Sequence, residues 1–268
     1  MNRPFSYSSL NTFKHCPQSF KLHYLEGIKK PYESIESFLG KRVHETLQFL
    51  YEQVMENKPP IFDALIKDFK SRWVNKWHSE LVFVNKNLKK KDYYDLGLDS
   101  LSWYFRKYKP FNQPAVDLEI KLLFNLNDDE NYQFVGIADR IDYCGDGVWE
   151  IHDYKTSKRA MTIAGANKDR QLALYQIGLK KKYKNVKKVK LVWHFVRCGI
   201  SVESSRTEEE LEKMQSTVMM EIDTIKNTIA NDGPFPPKVT PLCNWCYFWE
   251  ECPAKSGNNP FVERLAPM

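Results

Sequence analysis

The chain has 268 residues, enough for one large α/β domain with a substantial core. Its formal net charge of +6 is modestly basic, which permits nucleic-acid binding without demanding it. The N-terminus lacks the apolar core of a signal peptide and no run approaches membrane-spanning length, so we exclude a membrane protein and expect a cytoplasmic location. In that compartment the six cysteines are typical of metal ligands or free thiols rather than disulfides.

Helical patterns open the chain. Ser6 is a typical cap for a first helix that carries Leu10 and Phe13 at helical spacing. A second helix is predicted over residues 38–57, and His44 lies beside its apolar stripe. Taken alone, a histidine in that position is typical of a core residue.

Two more helices, over residues 61–81 and 92–109, predict a helical insertion at residues 58–112. Core packing accounts for their apolar residues, and guidance of a single DNA strand by lysine and aromatic contacts is the alternative use of this segment. No residue of the insertion is a candidate for the functional site.

The next segment predicts a meander of three antiparallel strands, over residues 115–126, 132–143 and 148–156. A Gly-Asp-Gly turn joins the last two strands into a hairpin. Glu119 falls on the more polar face of the first strand, so it is either a solvent-facing residue or a lesser candidate for the site.

Charged residues interrupt the apolar rows of this meander. Side chains alternate along a strand, so Asp153 and Lys155 continue the row of Trp149 and Ile151. Asp139 interrupts an apolar row of the preceding strand in the same way. An unpaired buried charge is costly, so these groups need compensation. Either Asp139 and Asp153 hold a divalent cation with Lys155 facing the substrate, or lysine and aspartate form a structural pair at the sheet end.

Beyond the meander, a helix over residues 169–183 places Gln171 and Tyr175 on one face, four residues apart. Residues 188–197 are apolar on both faces, as expected for a buried central strand. A long amphipathic helix follows and ends near Ala230.

The cysteines predict a metal centre. Three of them lie in one ten-residue stretch of a C-terminal loop, namely Cys243, Cys246 and Cys252. The remaining cysteines, from which a fourth ligand must come, are Cys16, Cys144 and Cys198. Four thiolates suit zinc or an iron-sulfur cluster, and the spacing alone does not choose between them.

The sequence Gly-Ile-Ala-Asp-Arg-Ile-Asp at residues 136–142, followed by Asp-Tyr-Lys-Thr at residues 153–156, resembles the core of the PD-(D/E)XK nucleases, specifically their RecB-like branch. The resemblance covers nearly the whole chain apart from the helical insertion. It implies an α/β fold of the restriction-endonuclease type, with a central mixed β-sheet flanked by helices, the insertion and a C-terminal iron-sulfur loop. The resemblance implies a single nuclease domain over residues 1–268. Its segments are an N-terminal segment 1–30 with the first cluster cysteine, the insertion 58–112, the catalytic sheet core 115–200 with the Gln-x-x-x-Tyr helix, and the cysteine-cluster loop and tail 232–268.

The sequence Gly-Lys-Arg-Val-His-Glu around His44 resembles the first motif of this family, in which the histidine is a metal ligand. The resemblance implies that Mg²⁺ or Mn²⁺ is held by His44, Asp139, Asp153 and the Tyr154 carbonyl. Lys155 would orient the attacking water or neutralise the transition state. Asp153 stands where many relatives carry glutamate, and the shorter side chain would shift the position or preference of the metal.

Two further motifs complete the resemblance. Gln171 and Tyr175 match the Gln-x-x-x-Tyr signature of the RecB branch, which implies that they position DNA or Lys155. Cys16, followed by a proline, matches the first cluster cysteine of relatives with an iron-sulfur cluster. Together with the loop cysteines it would hold a structural 4Fe-4S cluster, similar to that of the CRISPR-adaptation exonucleases and the AddB-type nuclease domain.

The resemblance therefore predicts a metal-dependent DNA exonuclease that acts on single-stranded DNA or DNA ends, with a helicase or integrase as a further partner. Two alternatives stay open. One is a non-catalytic nucleic-acid-binding or scaffold subunit of a recombination or CRISPR-adaptation complex, and the other is a trimmer of DNA ends before spacer integration. Asp139, Asp153 and Lys155 favour an enzyme, because a binding module needs no metal site.

Overall fold

The architecture was described from a computed structural model, which covers residues 3–85 and 87–264. The strands are β1 (Phe5–Ser6), β2 (Glu33–Ser34), β3 (Leu81–Phe83), β4 (Ala115–Asn125), β5 (Gln133–Tyr143), β6 (Val148–Lys155), β7 (Lys188–Phe195), β8 (Ile200–Ser204) and β9 (Glu263–Arg264). The α-helices are α1 (Tyr7–His15), α2 (Pro17–Phe20), α3 (Ile35–Met55), α4 (Phe62–Asn75), α5 (Lys90–Tyr108), α6 (Ile163–Ala166), α7 (Gln171–Lys182) and α8 (Glu208–Ala230). None of the described helices combines the length and apolar content needed to span a bilayer.

The central sheet is mixed. Its strand order is β1-β5-β6-β7-β8, and β4 also pairs with β5. Strands β4, β5 and β6 pair antiparallel, so the predicted meander is confirmed. Strands β6 and β7 pair in parallel, and α7 provides the crossover that a parallel pair requires. The predicted fold class, an α/β fold with a central mixed sheet flanked by helices, is confirmed.

The pairing of β5 creates an opening in the sheet. Strand β4 follows one edge of β5 along nearly its whole length. A strand has only two edges, so β1 and β6 share the other one. Strand β1 pairs with Phe134 and Val135, whereas β6 pairs only from Arg140 onwards. Asp139 lies in the interval between them, where β5 and β6 separate.

Helices cover both faces of the sheet. Because side chains alternate along β6, Ile151 enters the core that includes residues of α7 and α8, whereas Tyr154 enters the core that includes residues of α3 and α5. Both residues are almost fully buried. Helix α7 is buried along most of its length, which anchors its N-terminal Gln171 beside the end of β6.

Strict alternation fails in β5 at Asp139. Ala138 and Ile141 are three residues apart, yet both belong to the core that contains α7. Ile137, which has the same parity as Ile141, is instead 52% exposed. The neighbouring strand turns at the same level, where Glu119 has a φ of 46° in the left-handed region. The change of face directs both acidic residues towards the opening.

The insertion differs from its predicted pattern at one boundary. Helix α4 ends at Asn75, and Leu81 begins the short strand β3, which pairs with β2 and β9 in a second sheet. Three consecutive buried apolar residues favour a strand here over the end of a helix. The predicted segments 1–30, 58–112 and 232–268 include positions that lie outside the described residues, namely 1, 2, 86 and 265–268.

Candidate active site

Lys155, Asp153 and Gln171 form a closed hydrogen-bonded group at the end of β6. The Lys155 Nζ donates to Asp153 Oδ1 at 2.8 Å and to Gln171 Oε1 at 3.0 Å. The Gln171 Nε2 in turn donates to Asp153 Oδ1 at 3.0 Å. The side-chain amide therefore holds the lysine and the aspartate at once, which fixes the ammonium group at the opening between β5 and β6.

Tyr175 supports this group from one helical turn further along α7. Its hydroxyl accepts a hydrogen bond from Gln171 Nε2 at 3.3 Å. Its ring lies against the backbone of Gly136, where an added Cβ would come within 2.2 Å of the ring. Only glycine leaves room for this close approach of helix and strand. The two residues of the Gln-x-x-x-Tyr motif thus lie beside Lys155.

A second group faces the first across the opening. The Tyr154 N–H donates to Asp139 Oδ2 at 2.7 Å, and His44 Nδ1 lies 3.4 Å from the same oxygen. His44 Nε2 is 2.7 Å from the Tyr154 carbonyl oxygen. Ligand atoms of His44, Glu119 and Asp139 lie within 4.8 Å of one another, close enough to hold one metal ion.

The charges of this second group interact strongly. Burial alone would lower the pKa of His44, but the carboxylates of Asp139, Asp153 and Glu119 outweigh it and raise the pKa to about 9. Partial burial and the neighbouring Asp139 raise the pKa of Glu119 to about 7. The imidazolium of His44 therefore supplies positive charge at the place where carboxylates converge.

The two aspartates have pKa values displaced in opposite directions. Burial and the charge of Asp139 raise the pKa of Asp153 despite the nearby Lys155. The charge and hydrogen bond of His44, with the Tyr154 N–H, lower the pKa of Asp139 despite burial. Asp153 Oδ2 is buried and 2.7 Å from Lys155 Nζ, yet it accepts no well-oriented hydrogen bond from the described residues. This oxygen retains capacity for a cation.

A buried cation lies behind the site and fixes Tyr154. Arg140 donates from one terminal nitrogen to the hydroxyls of Tyr104 at 2.8 Å and Tyr154 at 3.2 Å. Its Nε donates to Asp142 Oδ1 at 2.8 Å, which compensates the buried charge. Because the Tyr154 backbone contacts both His44 and Asp139, this network fixes the position of the second group.

Three residues near the site have a weaker signal in the sequence. Glu119, a lesser candidate by its strand position, joins His44 and Asp139 because its positive φ turns it out of strict alternation. Tyr7 and Asp169 were missed. Partial burial and the charge of Asp169 raise the pKa of Tyr7, which also interacts with Lys155. No local pattern could identify Tyr7, because its position depends on the parallel pairing of β1 with β5.

The structure brings together four cysteines from two distant parts of the chain. One small cavity is lined by all of them, namely Cys16, Cys243, Cys246 and Cys252. Cys144 and Cys198 do not line it: Cys144 interacts with Glu150, and Cys198 donates to the Ser157 carbonyl at 3.4 Å. No three of the four gathered sulfurs lie within 4.8 Å of one another.

The family of this chain follows from a comparison with protein-family models. The model of the PD-(D/E)XK nuclease superfamily matches residues 4–253. The protein therefore belongs to the PD-(D/E)XK nuclease superfamily, which confirms that part of the prediction. No curated protein sequence gives a significant match.

A solved structure shows a similar fold. The structure of a "putative exonuclease" from Eubacterium rectale is similar with a TM-score of 0.52 at 14% sequence identity, over 90% of this chain and 87% of that one. A second structure, that of SSO0001, has 15% identity over 93% of this chain and 96% of that one. The TM-score of that comparison is 0.31.

Proposed function

We propose that the protein is a metal-dependent DNA exonuclease of the RecB-like branch, acting on single-stranded DNA or DNA ends. The observation that carries this proposal is the electrostatic interaction between two groups, His44 with Glu119 and Asp139 on one side and Lys155 with Asp153 on the other. Membership of a nuclease superfamily and the description of the Eubacterium rectale protein as an exonuclease support it.

The donor set fits a hard divalent cation. Oxygen ligands with one imidazole suit Mg²⁺ or Mn²⁺, and the buried Asp153 Oδ2 has no well-oriented hydrogen bond within the described residues. The residues that would hold the ion are His44, Asp139, Asp153 and the Tyr154 carbonyl, with Glu119 as a further carboxylate. When bound, the ion lowers the pKa of a water molecule and stabilises the negative charge that develops on the phosphate.

The chain's own residues position the reaction. Lys155 would orient the attacking water or neutralise charge on the scissile phosphate, because its ammonium group is held at the opening by Asp153 and Gln171. Burial alone would lower the pKa of Lys155, but the charges of Asp153 and Asp139 outweigh burial and raise the pKa. The side chain therefore stays charged. Tyr175 fixes the rotamer of Gln171 and acts through it.

We further propose that the gathered cysteines hold a structural 4Fe-4S cluster. The cavity that Cys16, Cys243, Cys246 and Cys252 line together supports this proposal, because four thiolates around one space are the ligand set of such a cluster. A helicase or integrase partner, a cytoplasmic location and the single-domain division with its four segments stay predictions.

The nuclease proposal is tested by degradation of end-labelled single-stranded DNA by anaerobically purified protein, with Mn²⁺ or with EDTA. We expect Mn²⁺-dependent shortening that falls by about 100-fold or more in Lys155→Ala, because a charge-stabilising group is removed. Lys213→Ala, at an exposed position on α8, serves as the control and should cleave normally. Folded protein that leaves single-stranded and duplex DNA intact would instead indicate a binding subunit.

A further inference from the structure

A cleft of about 920 Å³ connects the candidate active site with the cysteine loop. It is lined by His44 and Lys155 of the candidate site and by Trp245 and Phe261 of the C-terminal segment. The Trp245 side chain is 42% exposed and Phe261 41% exposed, so both aromatic rings are accessible. Groups suited to phosphate chemistry and aromatic surfaces thus share one continuous space.

The lining of this cleft carries an excess of positive charge. Besides Lys155 it includes Lys158 and Arg197, and neither of these two forms an ion pair within the described residues 3–85 and 87–264. Glu36 is the acidic residue among the lining side chains, and one of its oxygens accepts a hydrogen bond from the Tyr93 hydroxyl at 2.6 Å. The cleft is therefore complementary to an anion longer than a single phosphate group.

The loop around Trp245 is fixed from within. Trp249 Nε1 donates to the Cys243 carbonyl at 2.8 Å. Asn259 Nδ2 donates to the carbonyl of Cys246 at 2.9 Å. Trp245 lies between these two cysteines, so its ring is presented by a supported backbone at the margin of the cleft. A ring held in this way loses little freedom on binding a flat ligand.

We propose that this cleft is the path of a single nucleic-acid strand, on which one base stacks on Trp245 while Lys158 and Arg197 contact the phosphates that lead to Lys155. The proposal rests on the proposed nuclease function and adds the route and strand state of its substrate. Alternating cationic and aromatic contacts are typical of single-strand binding. A duplex keeps its base faces stacked internally, so an exposed indole at this position favours an unpaired strand.

The stacking contact is tested by fluorescence anisotropy in the Lys155→Ala background, with a labelled single-stranded oligonucleotide and a blunt hairpin duplex as probes. Trp245→Leu should weaken single-strand binding by about 5- to 100-fold, whereas Trp245→Phe, which keeps an aromatic face, should remain within about threefold of the parent. Leu242→Ala is the matched control, since Leu242 is an exposed apolar residue of the same loop that does not line this cleft. Thermal unfolding midpoints of all variants are compared with that of the parent.

Equal single-strand affinity of Trp245→Leu and the parent would overturn the proposal, as would equal losses in Trp245→Leu and Trp245→Phe. If Trp245→Leu weakened binding of the hairpin duplex but not of the single strand, the cleft would be assigned to duplex DNA, which would also overturn the proposal. These outcomes are distinguishable from failure of the nuclease proposal, because cleavage is measured separately in protein that retains Lys155. If the protein does not cleave DNA but its single-strand binding depends on Trp245, the nuclease proposal fails and the proposed strand path stands.

The phosphate contacts provide a second test that leaves the cysteine loop unchanged. Arg197→Gln and Lys158→Gln should each reduce the slope of log affinity against log salt concentration by about 0.7, the value for one phosphate contact on a single strand. Lys213→Gln on α8 should keep the slope of the parent, because this exposed lysine is outside the cleft. Unchanged slopes in both cleft variants would overturn the strand path.

Discussion

At the scale of single residues, the candidate site is a balance between converging carboxylates and two cationic side chains. Asp153 is neutralised by Lys155 at 2.7–2.8 Å, whereas Asp139 faces His44 at 3.4 Å. The raised pKa of His44, about 9, means that its imidazole holds a proton near neutral pH. A metal ion can coordinate this ring only after the proton leaves, so metal binding and proton release are linked.

We therefore predict that Mn²⁺ affinity rises with pH by about tenfold per unit between pH 7 and 8.5, as one proton is displaced from His44. Below pH 7 the rise should be steeper, because Glu119, with a pKa of about 7, then carries a second proton, and Asp153, whose pKa burial also raises, carries a further one at lower pH. The measurement is anaerobic titration calorimetry of the free enzyme at several pH values. Glu119→Gln should make the rise just below pH 7 less steep, and an affinity independent of pH would contradict the prediction.

At the scale of elements, the site depends on the separation of β5 from β6 and on the close packing of α7 against β5. The Tyr175 ring fits over Gly136, and the same helix presents Gln171 to Lys155. A protein interior transmits such contacts because it is close-packed. The distance between α7 and β5 therefore controls the position of Lys155.

Gly136→Ala should separate these elements, because its Cβ would come within 2.2 Å of the Tyr175 ring. We expect the free energy of unfolding to fall by about 1–3 kcal/mol. The rate of DNA cleavage should fall by about tenfold or more, because the Gln171–Lys155 contact is displaced. Urea unfolding and single-turnover cleavage measure the two effects.

The control for this variant is Gly97→Ala, which makes a similar 2.3 Å contact with Phe69 between α5 and α4. It should keep the cleavage rate of the parent, whatever its effect on stability. Equal losses of rate in both variants would show that general loosening, rather than the position of α7, limits the reaction.

At the scale of the whole molecule, the described chain brings together residues from near its two ends. Cys16 caps the short helix α2, and the three cysteines that line the same cavity, Cys243, Cys246 and Cys252, belong to the C-terminal loop. Lys30 also pairs with Glu250 at 2.7 Å and Glu251 at 2.6 Å, which places the same two regions side by side. A cluster bound here would link them covalently through metal–thiolate bonds.

Anaerobically purified protein should be brown and contain about four iron atoms per chain. Cys16→Ser should lose most of the iron and the visible absorbance, and its thermal midpoint should fall because the link between the chain ends is broken. Cys144→Ser, at an exposed cysteine outside the cavity, should retain both. Colourless protein with stoichiometric zinc would contradict the cluster, and iron retained by Cys16→Ser would contradict the ligand assignment.

Much of this arrangement is local in origin and could be read from the sequence. Alternation in β6 places Asp153 and Lys155 on one face, and the helical period of α7 places Gln171 and Tyr175 on one face. The Gly-Asp-Gly turn sets the β5–β6 hairpin. These features depend on residues close in the chain, whose geometry the backbone periods determine.

The sequence by itself therefore determined the fold class, the order of the main elements and most candidate residues. Only the tertiary structure decided that Glu119 joins His44 and Asp139, that Tyr7 lies near Lys155, and that Trp245 shares the cleft. The physical reason is that contacts between remote segments set each of these positions. They set the positive φ of Glu119, the pairing of β1 on the same edge of β5 as β6, and the packing of the loop that carries Trp245. No local period encodes such contacts.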